Sequence, residues 1–102
     1  MSNLAGKWDV VVHTFIGDQF AIHELVVDGE ALTGTVTDKG NGSIAEIYDG
    51  KVEGNTFSYE FKIKIPIGNL KFKIDGELLA DGTIKGVSKN AMGKFDFAGV
   101  RV

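Results

Sequence analysis

The sequence predicts an all-β protein, an eight-stranded antiparallel up-and-down β-barrel, and three observations carry that expectation. Apolar and polar residues alternate over long runs, as in Phe57-Ser58-Tyr59-Glu60-Phe61-Lys62-Ile63-Lys64-Ile65. Period two sends successive side chains to opposite faces of a strand, so each run has one face suited to a core. The breaks between runs are written largely with glycine and asparagine, which reach the positive φ of tight hairpins at little cost. The connections are also short, whereas a parallel crossover needs a dozen or more residues, so each strand pairs with its sequence neighbour.

The first strand is expected over Gly6–Thr14, turning at Ile16-Gly17 into a second over Asp18–Val27. Asp28-Gly29 leads to the third, Leu32–Asp38, and Lys39-Gly40-Asn41-Gly42 to the fourth, Ser43–Val52. In the fourth, Ile47 and Val52 share a face only if Asp49-Gly50 is a bulge that shifts the parity by one residue. Glu53-Gly54-Asn55 precedes the fifth, Thr56–Ile65, and Pro66-Ile67-Gly68-Asn69 the sixth, Asn69–Leu79. Pro66 falls at a turn, where no ladder hydrogen bond is lost. Asp81-Gly82 opens the seventh, Thr83–Lys89, and Asn90-Ala91-Met92-Gly93 the eighth, Gly93–Arg101. Glycines inside strands, at Gly34, Gly76, Gly86 and Gly99, suit a strongly curved wall that bends around large inner side chains. A meander has two edges to hide, and closure into a barrel removes both.

With 102 residues the chain forms one domain, 1–102, able to bury roughly two thirds of the surface its unfolded form exposes. It has no cysteine, so disulfides and thiolate metal sites are excluded. Met1-Ser2-Asn3-Leu4-Ala5 lacks the basic and apolar regions of a signal peptide, and no apolar run approaches the ~20 residues of a membrane helix. A cytoplasmic location is the resulting expectation. A formal charge of −3 disfavours nucleic acid and membrane as partners. Lys62, Lys64, Lys71 and Lys73 form a local exception, a basic stripe on neighbouring strands. Its plainer reading is a solvated face with edge protection; the alternative is a phosphate or nucleic-acid footprint, for which interleaved stacking aromatics are lacking.

Gly6-Lys7-Trp8 at the head of the first strand and Arg101 at the tail of the last resemble the Gly-x-Trp and terminal Arg signature of calycin barrels, the lipocalin, fatty-acid-binding and avidin group. The resemblance implies that Trp8 plugs one barrel end and that Arg101 packs over it, which requires the first and last strands to be adjacent. The chain is also similar to a family of small bacterial barrels, through Gly6-Lys7-Trp8-Asp9-Val10, Leu32-Thr33-Gly34-Thr35-Val36, Asp49-Gly50-Lys51-Val52-Glu53-Gly54-Asn55 and Phe97-Ala98-Gly99-Val100-Arg101. Those motifs imply a fold and no reaction.

Parity points Trp8, Val10, Val12, Leu25, Leu32, Ile47, Val52, Phe57, Tyr59, Phe61, Ile63, Leu70, Phe72, Ile74, Leu78, Ile84, Phe95 and Phe97 inward. Such a barrel is just wide enough to be filled by side chains or to hold one small ligand. Candidate ligand contacts are His23, Tyr59, Phe57, Phe61, Phe72 and Phe95. A turn at Ile16-Gly17 sets His23 opposite Val10 and inside with Ala21 and Leu25; a register one residue different sets it opposite Asp9 and outside. A satisfied structural histidine is the plainer reading of His23, and a rim-seeking phenol that of Tyr59. Thr33, Thr35, Glu46 and Arg101 are further polar groups placed near the interior, with Arg101 read as the latch. No nucleophile motif or phosphate loop is present, and Glu24 and Glu46 read as surface charges, so no catalytic residue, metal site or cofactor is assigned.

The same parity leaves Val11, Phe20, Ile22 and Val26 outside on the first two strands. Contiguous outer apolar residues suggest a twofold homodimer. The functional expectation is therefore a noncatalytic barrel for a small, mostly apolar ligand. Its alternatives are a filled-core interaction protein acting through that outer face, or a small barrel cyclase or isomerase.

Overall fold

The structure, a computed structural model, describes residues 4–14, 17–40, 42–65 and 68–102. The expected turn positions Ile16, Asn41, Pro66 and Ile67 lie outside the described residues. Nine strands are described: β1 (Gly6–Thr14), β2 (Gly17–Asp28), β3 (Ala31–Asp38), β4 (Ile44–Glu46), β5 (Tyr48–Glu53), β6 (Thr56–Ile65), β7 (Gly68–Leu78), β8 (Ile84–Asn90) and β9 (Gly93–Arg101). Together β4 and β5 occupy the place of the fourth expected strand. Every pairing is antiparallel, and the order β2-β1-β9-β8-β7-β6-β5-β3-β4 closes through β2 and β3 into an eight-stranded barrel.

The break in the fourth strand is the bulge that alternation requires. Its register against β6 shifts between Tyr48 and Lys51, and Asp49 takes a positive φ of 50°. Aspartate visits this conformation more readily than bulkier residues. The inserted residue restores parity, so Ile47 and Val52 are both buried in the interior.

Glycines inside the strands give the wall its curvature. A Cβ on Gly76 would meet the Phe57 Cζ at 2.7 Å and the Phe97 Cζ at 2.8 Å, so these two rings occupy the room its missing side chain leaves. Trp8, Tyr59, Leu25, Leu32, Ile74 and Ile84 are fully buried in the core they help to build.

Closure by the first and last strands is observed, with Trp8 paired to Arg101 across β1 and β9. The Arg101 guanidinium lies 4.3 Å from the centre of the buried indole and donates to the Ala5 carbonyl at 2.7 Å. The indole Nε1 donates to the Leu4 carbonyl at 2.8 Å. Leu4, buried beside it, joins the plug that sequence parity could not assign because it precedes β1.

Two expectations about the wall are corrected. Gly17 is the first residue of β2 and pairs with Thr14, so the hairpin closes earlier than a turn at Ile16-Gly17 and His23 faces Trp8, not Val10 or Asp9. The slip is two residues from the inward register, and His23 keeps its inward face. Thr33, Thr35 and Glu46 lie on the outer face, because Leu32, Val36 and Ala45 take the inward positions of β3 and β4.

At the end opposite the plug, two hairpins outrun their neighbours. β1 pairs with β9 only from Trp8 to Val12, and β2 pairs with β3 only from Ala21 onward. Likewise β5 leaves β6 at Glu60, and β8 leaves β7 at Lys73. In the closed order β1 and β2 stand across the barrel from β6 and β7, so the projecting hairpins flank one mouth and lengthen the molecule to 40 Å against 23 Å across.

Candidate functional site

Alternation on β6 sends Phe57, Tyr59 and Phe61 inward, and the β6–β7 register sets Phe72 opposite Phe61. The result is a continuous aromatic array. Phe57 stacks on Tyr59 with centroids 6.0 Å apart, Tyr59 lies 6.4 Å from Phe61, and Phe61 stacks on Phe72 at 5.0 Å. From the opposite wall His23 meets Phe61 edge-on at 5.7 Å. Five of the six proposed contact residues are thereby brought together. Phe95 is half-buried on β9, opposite Ser88 of β8.

His23 is buried, and its Nδ1 lies 2.6 Å from the Tyr59 hydroxyl. Tyr59 does not seek the rim: it is fully buried, and its oxygen finds its partner across the barrel. The two groups share one hydrogen bond, whose donor is set by the imidazole tautomer. Burial holds the His23 pKa down at about 3 and pushes the Tyr59 hydroxyl well above the ordinary phenol range. Both groups are therefore neutral near pH 7. General acid–base catalysis works best with groups that titrate near the working pH, which neither does. The pair is suited to holding a hydrogen bond in an apolar interior and poorly suited to moving protons.

A second interior polar group escaped the sequence reading. Ser88 points inward by the parity of Ile84 and Gly86 on β8, is fully buried, and its Oγ has no hydrogen-bond partner. Two residue pairs separate it from the β8–β9 turn, and it lies between Ile74 and Phe95 on the mouth side of the barrel. The signal was its parity alone, and a single serine within Lys85-Gly86-Val87-Ser88-Lys89 does not show whether its hydroxyl is satisfied. Around the mouth Val12, Ile63, Leu70, Phe72 and Phe95 are half-buried.

A shallow cleft of about 230 Å³ opens elsewhere, on the wall of β5, β6 and β7, lined by Lys51, Glu53, Thr56, Phe57, Ser58, Asp75 and Gly76. Lys51 and Glu53 pair across 3.0 Å in it, and it touches the aromatic array only at Phe57. Among the described residues no group of three or more His, Asp or Glu side chains is gathered to hold a metal ion.

On the outside, Phe20 and Val26 are about half exposed, while Val11 and Ile22 are intermediate. Lys39 explains part of the difference. Its backbone N–H donates to the Phe20 carbonyl, and its ammonium reaches Asp9 on β1 at 3.2 Å, so its stem crosses β2 between Phe20 and Ile22. Ala98 and Val100 of β9 extend the apolar area beyond Val11 and Asp9, Val100 being 54% exposed.

No family model, no curated protein and no solved structure matches the chain.

Proposed function

We propose that this barrel is a calycin-like binding protein that takes a small, mostly apolar guest at its mouth and catalyses no reaction. The observation that carries the reading is the unpartnered Ser88 hydroxyl in an apolar interior. Leaving a buried hydroxyl unsatisfied costs about 1–3 kcal/mol, and an alanine at this position would avoid that cost. A guest with one hydrogen-bonding group would satisfy it. The half-buried Val12, Ile63, Leu70, Phe72 and Phe95 supply apolar walls above it, and the neutral His23–Tyr59 pair forms a polar floor. Ile74, paired with both Tyr59 and Ser88, fills part of that level, and Trp8, Leu25, Ile84 and Phe97 occupy the interior toward the plug, so a compact guest fits the arrangement better than a long lipid chain.

The test is titration with the fluorescent apolar probe N-phenyl-1-naphthylamine, followed by competition with small aromatic alcohols and their parent hydrocarbons. Saturable binding that Ser88→Ala weakens for the alcohols and spares for the hydrocarbons supports the reading. Equal loss for both, or no saturable binding by the wild type, refutes it.

A second reading concerns the outer face and is favoured by the continuity of Phe20 through Val11 to Ala98, with Val100 beside it. We infer a homodimer through this face, since apolar area left in water forgoes about 25 cal/mol per Å² of burial. Light scattering of the wild type and of Phe20→Glu tests it: a dimer that the substitution splits into folded monomers supports the reading, and a monomeric wild type ends it.

A further inference from the structure

The lysines are distributed unevenly. Five of the ten, Lys62, Lys71, Lys73, Lys89 and Lys94, occupy adjoining outer positions of β6, β7, β8 and β9 at the mouth end. The registers set them directly against one another: Lys62 faces Lys71, Lys73 faces Lys89, and Lys89 faces Lys94. Like charges directly opposite on a sheet destabilise it. Glu60 relieves Lys71 at 3.0 Å and Asp75 relieves Lys89 at 3.6 Å, with Asp96 bordering the group, while Lys62 sits 5.7 Å over the Tyr48 ring.

Edge protection accounts for part of this group only. Lys62 and Lys71 lie on the projecting part of the β6–β7 hairpin, where charged side chains discourage a further strand from pairing. Lys73 and Lys89 each have a paired strand on both sides and no edge to protect, while Lys94 continues their row on β9 beyond the last β1 partner, Phe97. Two further features adjoin it. Met92, 56% exposed, caps the β8–β9 turn between Lys89 and Lys94. The Tyr48 hydroxyl, under Lys62, is buried with no hydrogen-bond partner.

From this we infer that the mouth-end wall of β6 to β9 docks on an anionic bilayer surface, its lysines against lipid phosphates and Met92 in the headgroup region. An anionic surface removes the mutual repulsion of the lysines, and an apolar tip among basic residues suits the boundary between headgroups and acyl chains. The net charge of −3 does not oppose this, because attraction is set by the charges within about a Debye length of the surface. A nucleic acid would use the same lysines and would not need Met92; the exposed methionine is what favours the bilayer. The inference does not depend on the occupancy of the barrel interior.

The experiment is co-flotation of the intact protein with vesicles of phosphatidylcholine alone or mixed with phosphatidylglycerol. Binding is expected to the mixed vesicles only, to weaken with added salt, and to fall about fivefold for each lysine removed in Lys73→Gln and Lys94→Gln. Met92→Ser should weaken it further, whereas Lys7→Gln and Lys85→Gln, outside the row, should leave it unchanged. Circular dichroism on each variant verifies that it is folded. Equal loss in Lys85→Gln and Lys94→Gln would overturn the inference, since any lysine would then serve. So would indifference to Met92→Ser together with binding of a single-stranded oligonucleotide, or absence of binding to the mixed vesicles.

Discussion

Lowering the pH should destabilise the barrel, because His23 is held neutral inside it. The ring has an ordinary pKa of 6.5 when the chain is unfolded and about 3 when burial removes it from water. Between those values the unfolded chain binds a proton that the folded chain refuses. The contribution of His23 is therefore complete above pH 6.5 and is lost progressively as pH falls toward about 3. The slope is about 1.4 kcal/mol per pH unit, so moving from about pH 7 to about pH 5 should remove roughly 2 kcal/mol. A domain of this size has only about 5–15 kcal/mol in total, so the shift in a urea midpoint is measurable. Glu60 and Asp81, held below their ordinary values by Lys71 and Thr83, stabilise the fold at pH above those values and lose that effect only at lower pH. Urea titrations across this range should show the slope in the wild type and in His13→Ala, and should not show it in His23→Leu/Tyr59→Phe. The double substitution is needed because His23→Leu alone leaves the Tyr59 hydroxyl buried without its partner. A slope that persists in the double variant, or a wild type of constant stability over this range, refutes the reasoning.

Ser88→Ala should raise the urea midpoint of the ligand-free protein by the equivalent of about 1–3 kcal/mol, since it removes an unsatisfied buried hydroxyl; an unchanged or lower midpoint contradicts that account. Trp8→Ala should cost about 3–5 kcal/mol, read by thermal melting, because it empties the plug under Arg101. Gly76→Ala should cost about 1–3 kcal/mol, since its methyl would enter the space held by the Phe57 and Phe97 rings; a melt like that of the wild type would show that the rings yield freely.

The wall of this barrel was largely legible from alternation, because a side-chain period of two is a local property that survives errors of register. The bulge at Asp49-Gly50 shows how far that reasoning reaches. Two apolar residues of opposite parity, Ile47 and Val52, demand an inserted residue between them, and the shift is found there. His23 shows where it stops. Its face followed from parity, yet its partner depended on which residue begins β2, and a small change at that hairpin moves it from Val10 to Trp8. The Tyr59 hydroxyl was less accessible still, because the pairing spans 36 residues and crosses the barrel interior. Nothing local in Ser58-Tyr59-Glu60 distinguishes a phenol that reaches the rim from one that meets an imidazole. Lys39 was illegible for the same reason: its stem crosses β2 only because the β3–β4 connection returns beside Phe20.

The polar groups of the interior separate into two kinds, and the difference bears on what the barrel does. His23 and Tyr59 satisfy one another, so removing both with apolar replacements of similar shape need cost the fold little. Ser88 satisfies nothing, and its removal should favour the fold outright. Both kinds burden the fold: the first makes it sensitive to acid, and the second leaves an unmet hydrogen bond. At the closed end, by contrast, each polar atom described is engaged, the Trp8 nitrogen with Leu4 and the Arg101 guanidinium with Ala5 and the indole face. Imperfect satisfaction is thus concentrated toward the mouth, beside the half-buried Phe72 and Phe95. A barrel serving only as a filled scaffold would gain stability from an apolar residue at position 88, and the binding proposed above rests on the serine that stands there instead.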